Sequence, residues 1–105
     1  MAVTKVETPT EQLRQYSTVP KLIPATIEDV FSSTCFLEEI VLTNPSAADV
    51  EVTVADKQDT PCEILKVDVP SKGYVHAAYK ARYAPGGVTW VAASAAVVGF
   101  VRARY

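Results

Sequence analysis

The stretch that decides the fold is residues 35–54, which read CFLEEIVLTNPSAADVEVTV. Within residues 50–54, valine alternates with Glu51 and Thr53, and the side chains of a β-strand point alternately to the two faces of a sheet. Residues 44–46, Asn-Pro-Ser, form a turn signal between two apolar runs. The stretch therefore predicts two half-buried strands joined by a turn.

The same pattern of short strand runs and turn residues continues on both sides of this stretch. Turn signals stand at residues 70–73, Pro-Ser-Lys-Gly, and at residues 85–87, Pro-Gly-Gly. The expected strands cover residues 27–32, 35–43, 50–56, 62–69, 74–79, 88–93 and 97–104. Seven short strands without a helix predict an all-β domain, an antiparallel β-sandwich or jelly roll, over residues 25–105.

Residues 1–24 do not share this pattern. Pro9, Pro20 and Pro24 each lack a backbone donor and favour an extended predecessor, which argues against a long helix or a central strand. The apolar residues are spaced apart, as anchors along an extended path would be. We expect an N-terminal arm that reaches a partner, up to about 80 Å if fully extended at about 3.3 Å per residue. A disordered tail is the alternative.

One residue does not fit the alternation. With Phe36, Ile40 and Leu42 pointing inward, Glu38 would face the core in the same register, where an unpaired carboxylate is costly. We expect Glu38 to sit at an end of the sandwich, to meet an arginine (Arg82, Arg102 or Arg104), or to mark a β-bulge.

Length and composition describe an ordinary folded domain. The chain has 105 residues, of which 49% are hydrophobic and 21% charged, as in globular proteins. It contains no run of 18 apolar residues and no hydrophobic stretch after a basic head, so we expect neither a membrane span nor a secretory signal. The sequence predicts a soluble protein made in the cytoplasm.

Charge is distributed unevenly along the chain. Residues 25–70 contain ten acidic side chains and two lysines, a net charge of −8, whereas residues 71–105 contain five basic side chains and no acid. The two parts could neutralise each other within one molecule. Alternatively, they could attract neighbouring copies or partners, because complementary potentials guide docking.

The two cysteines do not indicate a metal site. Cys35 and Cys62 lie in different expected strands, and His76 is the only histidine, which leaves too few ligands for structural zinc. We interpret both thiols as reduced packing residues, although a disulfide between them stays open.

The residues required for common catalytic and binding sites do not occur together. His76 lies in an alternating strand run, where a structural or surface role is typical. Adjacent acids such as Glu38 and Glu39 face opposite sides of a strand, and Pro85-Gly86-Gly87 lacks the spacing of a phosphate loop. An isoelectric point near 5.3 opposes nucleic-acid binding. We expect no enzyme activity and no cofactor, and we interpret Trp90 as a core residue.

Several of these runs together resemble a family. Residues 34–54 resemble a pattern in small structural proteins of tailed bacteriophages, in which a strand ending in an Asn-Pro-Ser-type turn leads to an alternating Val/Thr strand. Residues 70–73 look like the next turn of that pattern, and residues 85–90 with 93–101 look like its closing hairpin. The resemblance covers about residues 16–104.

The resemblance implies a virion component of β-sandwich fold, such as a capsid decoration or cement protein bound over joints between major capsid protein subunits. Such a protein would act on the capsid surface, as a homo-oligomer, with no nucleic-acid or membrane partner. The alternative is a tail or fibre module that recognises host-surface carbohydrate. Candidate partner-binding residues, on the arm and the sandwich edges, are Leu13, Arg14, Tyr16, Val19, Leu22, Tyr79, Arg82, Tyr83, Arg102, Arg104 and Tyr105.

Overall fold

Nine β-strands and no helix make up the described part of the chain, residues 15–18 and 20–104 of this computed structural model, with residues 15–17 described by their backbone alone. In chain order the strands are β1 (Gln15–Ser17), β2 (Lys21–Leu22), β3 (Glu28–Phe31), β4 (Cys35–Asn44), β5 (Val50–Asp56), β6 (Glu63–Val69), β7 (Gly73–Ala84), β8 (Val88–Ala92) and β9 (Val98–Arg104). None of the described residues forms a helix long and apolar enough to cross a membrane.

The strands form two antiparallel sheets that pack against each other. Sheet one has the order β1-β9-β4-β7, and β2 continues beyond β1 along the same edge of β9. Sheet two has the order β3-β8-β5-β6. Pairing is nested along the chain: β5 pairs with β6, β4 with β7, β3 with β8 and β2 with β9. Both sheets are therefore built from distant parts of the sequence.

All seven expected strands are present, most of them within a residue or two of the predicted bounds. The largest difference is in β7, which was expected at residues 74–79 and ends at Ala84. Strands β1 and β2 lie within the predicted arm and were not expected. They pair with β9, and Ile23 just after them is fully buried. The predicted domain boundary after residue 24 stays a prediction.

The core lies between the two sheets. Val50, Val52 and Val54 all point inward from β5, as their alternation predicted. Trp90 is 2% exposed, which confirms it as a core residue. Burial of each such side chain contributes about 1.5–3 kcal/mol. The buried apolar residues are Ile23, Cys35, Leu37, Ile40, Leu42, Val50, Val52, Val54, Val69, Ala84, Val88, Trp90, Ala92, Val97, Val101 and Ala103.

Gly99 allows the segment after β2 to approach this core. A Cβ at Gly99 would lie 2.6 Å from the Trp90 ring and 2.8 Å from the Ile23 side chain. Because atoms in a packed interior cannot come so close, a larger residue would push Ile23 and Trp90 apart. Because Gly99 has no side chain, Ile23 can pack close to the Trp90 indole.

A β-bulge at Glu38 changes which side chains of β4 face the core. Glu39 pairs with Arg102 on β9, and Leu37 pairs with the next residue, Ala103, so that Glu38 has no opposite residue there. Beyond the bulge Leu37 is buried and Phe36 is 38% exposed. The expectation that Phe36 points inward is therefore wrong, since one extra residue reverses the alternation.

Asn44 organises the turn between β4 and β5 and is fully buried. Its side-chain nitrogen donates to the carbonyl oxygens of Ala48 at 2.8 Å and Val69 at 2.9 Å. Its Oδ1 accepts from the backbone nitrogen and the hydroxyl of Ser46. Since Val69 belongs to β6, the Asn44 amide also joins sheet one to sheet two.

Candidate functional site

The described candidate partner-binding residues fall on sheet one. Leu13, Arg14, Val19 and Tyr105 lie outside the described residues, and only the backbone of Tyr16 is described, opposite Ala103 in β9. The remaining candidates are grouped on three strands: Leu22 on β2; Tyr79, Arg82 and Tyr83 on β7; Arg102 and Arg104 on β9.

Arg102 and Arg104 are paired with acids of the neighbouring strand β4. Arg104 Nε lies 2.6 Å from Glu38 Oε2, and Arg102 Nε lies 3.2 Å from Glu39 Oε1. The side chain of Arg102 remains 40% exposed and that of Arg104 remains 55% exposed. These basic residues of the C-terminal part are therefore neutralised by acids of the middle part within one molecule, as the first explanation of the uneven charge predicted.

The bulge at Glu38 places its carboxylate within reach of both arginines. The Glu38 side chain is only 16% exposed and also lies 3.8 Å from Arg102. Two of the expected solutions for Glu38, a bulge and an arginine partner, are therefore both present. A carboxylate that would otherwise be costly to bury is placed between two guanidinium groups.

Glu39 extends the cluster to β7. His76 Nε2 lies 2.6 Å from Glu39 Oε2, and its side chain is 47% exposed. The hydrogen bond to His76 and the charge of Arg102 hold the pKa of Glu39 below its usual range, although partial burial acts in the opposite direction. The group Glu38, Glu39, His76, Arg102 and Arg104 is called the ionic cluster below.

The far end of β7 exposes two aromatic rings. Tyr83 is 58% exposed and lies opposite Phe36, with 5.5 Å between the ring centroids and a tilt of 40°. Such offset pairs are typical of aromatic contacts. Tyr79 is partly buried beside the core, and burial raises the pKa of its hydroxyl. Of the two candidate tyrosines in β7, Tyr83 is the one whose ring is largely exposed to solvent.

The charge of Arg82 acts on a buried carboxylate in the neighbouring sheet. The buried carboxylate of Asp56 has a lowered pKa: burial raises it, but hydrogen bonds from Cys62 and Gln58 and the charge of Arg82 outweigh burial. Cys62 donates its backbone N–H to Asp56 Oδ1 at 2.9 Å, and Gln58 Nε2 donates to Oδ2 at 2.7 Å. Asp56 thereby orders the loop between β5 and β6.

Sequence reasoning missed a row of side chains, three of them apolar or aromatic, on the outer face of sheet one. Leu22, Val98, Thr43 and Tyr74 lie side by side across β2, β9, β4 and β7. Leu22 is 50% and Tyr74 69% exposed. Alternation within each strand indicates which side chains share a face. The row, however, depends on how the four strands are aligned with one another, and this register cannot be read from the sequence.

The surface of the described residues includes two pockets, one on sheet two and one beside the end of β3. The larger, about 320 Å³, lies on the outer face of sheet two beside the 2.8 Å ion pair of Lys57 and Asp29. Ile27, which is 74% exposed, forms part of its wall. The smaller, about 240 Å³, is lined by Val30, Phe31, Ser32, Ser33 and Cys35. Burial raises the pKa of the Cys35 thiol, which disfavours the reactive thiolate form there.

The two cysteines are both free, and they differ in environment. Cys35 is buried, as a packing residue should be, but Cys62 is exposed, so that interpretation is wrong for Cys62. Within the described ranges, no group of three His, Cys, Asp or Glu side chains is placed to hold a metal ion. Comparison with protein-family models and with curated proteins finds no match to the chain.

Proposed function

We propose that this chain is a structural protein of a tailed-bacteriophage virion, of the capsid decoration or cement type, which stabilises the shell without catalysis. It binds across joints between major capsid protein subunits. Many copies each cover one joint, so that modest affinities combine over the shell. The protein is made in the host cytoplasm and acts on the capsid surface.

The observation that carries this proposal is the nested pairing of the strands. Pairs β5–β6, β4–β7, β3–β8 and β2–β9 are what results when one antiparallel ribbon is rolled into two sheets, and they support a jelly-roll sandwich. Double-sheet jelly rolls are used in viral capsid and lectin domains. Because one fold can serve several functions, the nested pairing supports the capsid role by analogy of fold alone.

The exposed side chains of sheet one suit a contact role. Leu22, Tyr74 and Tyr83 present half or more of their surface to solvent, and aromatic and arginine side chains are enriched at protein interfaces. Of the large apolar side chains exposed among the described residues, four lie on strands of sheet one, whereas one, Ile27, lies beside sheet two. We therefore place the capsid contact on sheet one and on the N-terminal arm that precedes β1.

The proposal assigns to the arm, residues 1–24, the role of an extended contact on a neighbouring subunit. Its described portion from residue 20 onward contributes Ile23 to the core. We therefore assign the contact role to residues 1–14, which contain the candidates Leu13 and Arg14.

The test is binding to purified procapsids of the phage that encodes the chain. We expect the full chain to bind and to raise the temperature at which shells open, and residues 15–105 to bind at least tenfold more weakly. A Leu13→Ala, Arg14→Ala variant should lie between them, with Glu51→Ala, on the exposed side of β5 in sheet two, as a control. Absence of binding by the full chain would overturn the proposal, and equal binding by residues 15–105 would overturn the role of the arm.

Carbohydrate recognition in a tail or fibre is the second candidate, favoured by the exposed rings of Tyr74 and Tyr83. Trp90, the largest ring available for stacking, is buried and donates its indole N–H to Glu28 at 3.0 Å. Saturable sugar binding that is lost in Tyr83→Ala, together with no binding to shells, would replace the capsid proposal with this one.

A further inference from the structure

Two long strand edges lie open on one side of the molecule. Strand β7, of twelve residues, is the last strand of sheet one, and β6, of seven residues, is the last strand of sheet two. No strand of the described chain pairs with their outer edges. The opposite side ends in β1, β2 and β3, which have three, two and four residues. Long open edges are templates for pairing with another chain.

Both edges have a regular part that ends in a bulge. In β7 the regular pairing with β4 runs from Gly73 to Ala78, and an irregularity follows before Arg82. In β6 it runs from Leu65 to Val69, and the irregularity lies between Leu65 and Glu63. The free regular stretches are therefore similar in length, and each bulge limits how far pairing can extend.

Apolar side chains lie between these edges. Leu65 and Val67 on β6 and Val75, Ala77 and Tyr79 on β7 pack against the core but are only partly buried. Because they are inward-facing residues of edge strands, a second molecule placed against this side would complete their burial. Such burial is the main source of favourable free energy in association.

The direction of the two strands fixes how a second copy can be placed. A tight turn, closed by the Gly73 N–H bonded to the Pro70 carbonyl at 2.9 Å, reverses the chain between β6 and β7. A two-fold axis parallel to the strands therefore sets β7 of one copy antiparallel to β6 of the other, and does so twice. A two-fold axis perpendicular to the sheets sets β7 of one copy against β7 of the other instead. Both arrangements satisfy the backbone in the way that antiparallel pairs do.

Charge distinguishes these two arrangements. Strand β7 contains His76, Lys80 and Arg82 and no acidic residue, whereas β6 contains Glu63 and Asp68 with one lysine. Pairing β7 with β7 joins two strands that both lack acidic side chains, so that Lys80 and Arg82 gain no partner of opposite charge there. Pairing β7 with β6 brings opposite charges together at the bulged end.

We propose that the open edges of β6 and β7 bind a second copy of this chain, with β7 of each copy antiparallel to β6 of the other. A two-fold axis along the strands includes no shift along them, so residues that are level within one copy stay level across the interface. Counting from the Pro70–Gly73 turn, Lys80 of one copy lies within about a residue of Glu63 of the other. Lys66 lies within about a residue of His76, whose ring is bound to Glu39.

The oligomeric state of the isolated full chain tests this inference separately from capsid binding. Sedimentation velocity over a concentration series should give a species of twice the 11.3 kDa chain mass. Lys80→Glu and Glu63→Lys should each weaken the dimer by about tenfold, because a roughly threefold effect per ion pair occurs twice in a symmetric dimer. The double variant restores opposite charges and the net charge of the chain, and should return to within about threefold of the original Kd.

Spin labels on the exposed thiol of Cys62 report which arrangement forms, since Cys35 is buried. In the proposed dimer the two Cys62 residues lie at the same end, separated by little more than the spacing of two packed sheets, about 10 Å. With β7 against β7 they lie at opposite ends, at a clearly longer distance. A long distance, a monomer at every concentration, or a double variant no tighter than its parents would each overturn the inference. Circular dichroism of each variant shows whether it is folded.

Discussion

Glu39 joins three strands through one carboxylate, since it accepts from Arg102 on β9 and lies against His76 on β7. Its pKa is lowered in the folded protein by the His76 hydrogen bond and the Arg102 charge. A lowered carboxyl pKa stabilises the fold above the unfolded value, near 4.5, and this contribution is lost as pH falls through the folded value. Glu28 and Asp56, whose pKa values are also lowered, add to the same dependence.

We therefore predict that the melting temperature of the wild type decreases as pH falls from 5 through the lowered carboxyl pKa values, and that Glu39→Gln makes this decrease shallower. Glu51→Gln, on the exposed side of β5, serves as the control and should leave the profile unchanged. Melting curves by circular dichroism between pH 7 and pH 3 measure both. A Glu39→Gln profile as steep as that of the wild type would show that the ionic cluster does not carry acid stability.

Asn44 is the buried polar residue whose loss we expect to cost most. Asn44→Ala leaves the buried Val69 carbonyl without its side-chain donor, which costs about 1–3 kcal/mol, and also removes the Asn44 bonds to Ala48 and Ser46 that order the turn. We predict a loss of about 3 kcal/mol in the free energy of unfolding. Urea unfolding followed by Trp90 fluorescence measures it, and Thr43→Ala, one residue away on the exposed side, should change it by less than about 0.5 kcal/mol.

At the scale of elements, the bulge in β7 depends on a residue in an unusual backbone conformation. Ala81 has a φ of 54°, in the left-handed region where a β-branched side chain is strained. Ala78 is exposed in the regular part of the same strand. We predict that Ala81→Val destabilises the protein by about 1–2 kcal/mol, whereas Ala78→Val is neutral or slightly stabilising because valine favours strands.

Urea midpoints of the two variants make this comparison directly, since both make the same change in one strand. Ala81→Gly adds a third point, because glycine adopts positive φ without strain and should be tolerated. Equal losses in Ala81→Val and Ala78→Val would mean that the backbone at residue 81 is not the reason for the cost.

A strand could be predicted from the sequence where its own residues alternate without interruption. It could not be predicted where its bounds or its inward face depend on pairing with other strands. Residues 50–54 alternate without interruption, and β5 follows them. The shift at Glu38 depends on pairing with β9 and β7 at once, so the sequence showed only that Glu38 did not fit. Strands β1 and β2 are two or three residues long and exist because β9 offers an edge.

The candidate surface was predictable to a similar degree. The sequence identified Arg102, Arg104 and the excess of acids before them, and left open whether they meet within one molecule. Their contacts with Glu38 and Glu39 depend on register, as does the row that brings Leu22 level with Tyr74. Tyrosine and arginine content could be counted, but the faces they occupy follow from the bulges.

At the scale of the whole molecule, residues 20–24 are part of the fold, although proline and spacing made them look like part of the arm. Ile23 is fully buried, its N–H donates to the Val97 carbonyl at 2.9 Å, and the Pro24 carbonyl accepts from Ala92 at 3.0 Å. The segment thus links β9 in sheet one to the end of β8 in sheet two. Removal of residues 1–24 would take away this link together with β1 and β2.

We predict that a chain of residues 25–105 loses on the order of 5 kcal/mol of stability, from about 1.5–3 kcal/mol for burial of Ile23 and about 1 kcal/mol for each lost hydrogen bond. That is comparable to the whole stability of a small domain. A chain of residues 15–105 keeps every contact among the described residues and should unfold close to the full chain. Urea unfolding of the three chains, followed by Trp90 fluorescence, compares them, and Ile23→Ala in the full chain should reproduce about half of the larger loss. If residues 25–105 unfold at the same urea concentration as the full chain, Ile23 and β2 do not support the core, and residues 1–24 act as a separable arm as the sequence first suggested.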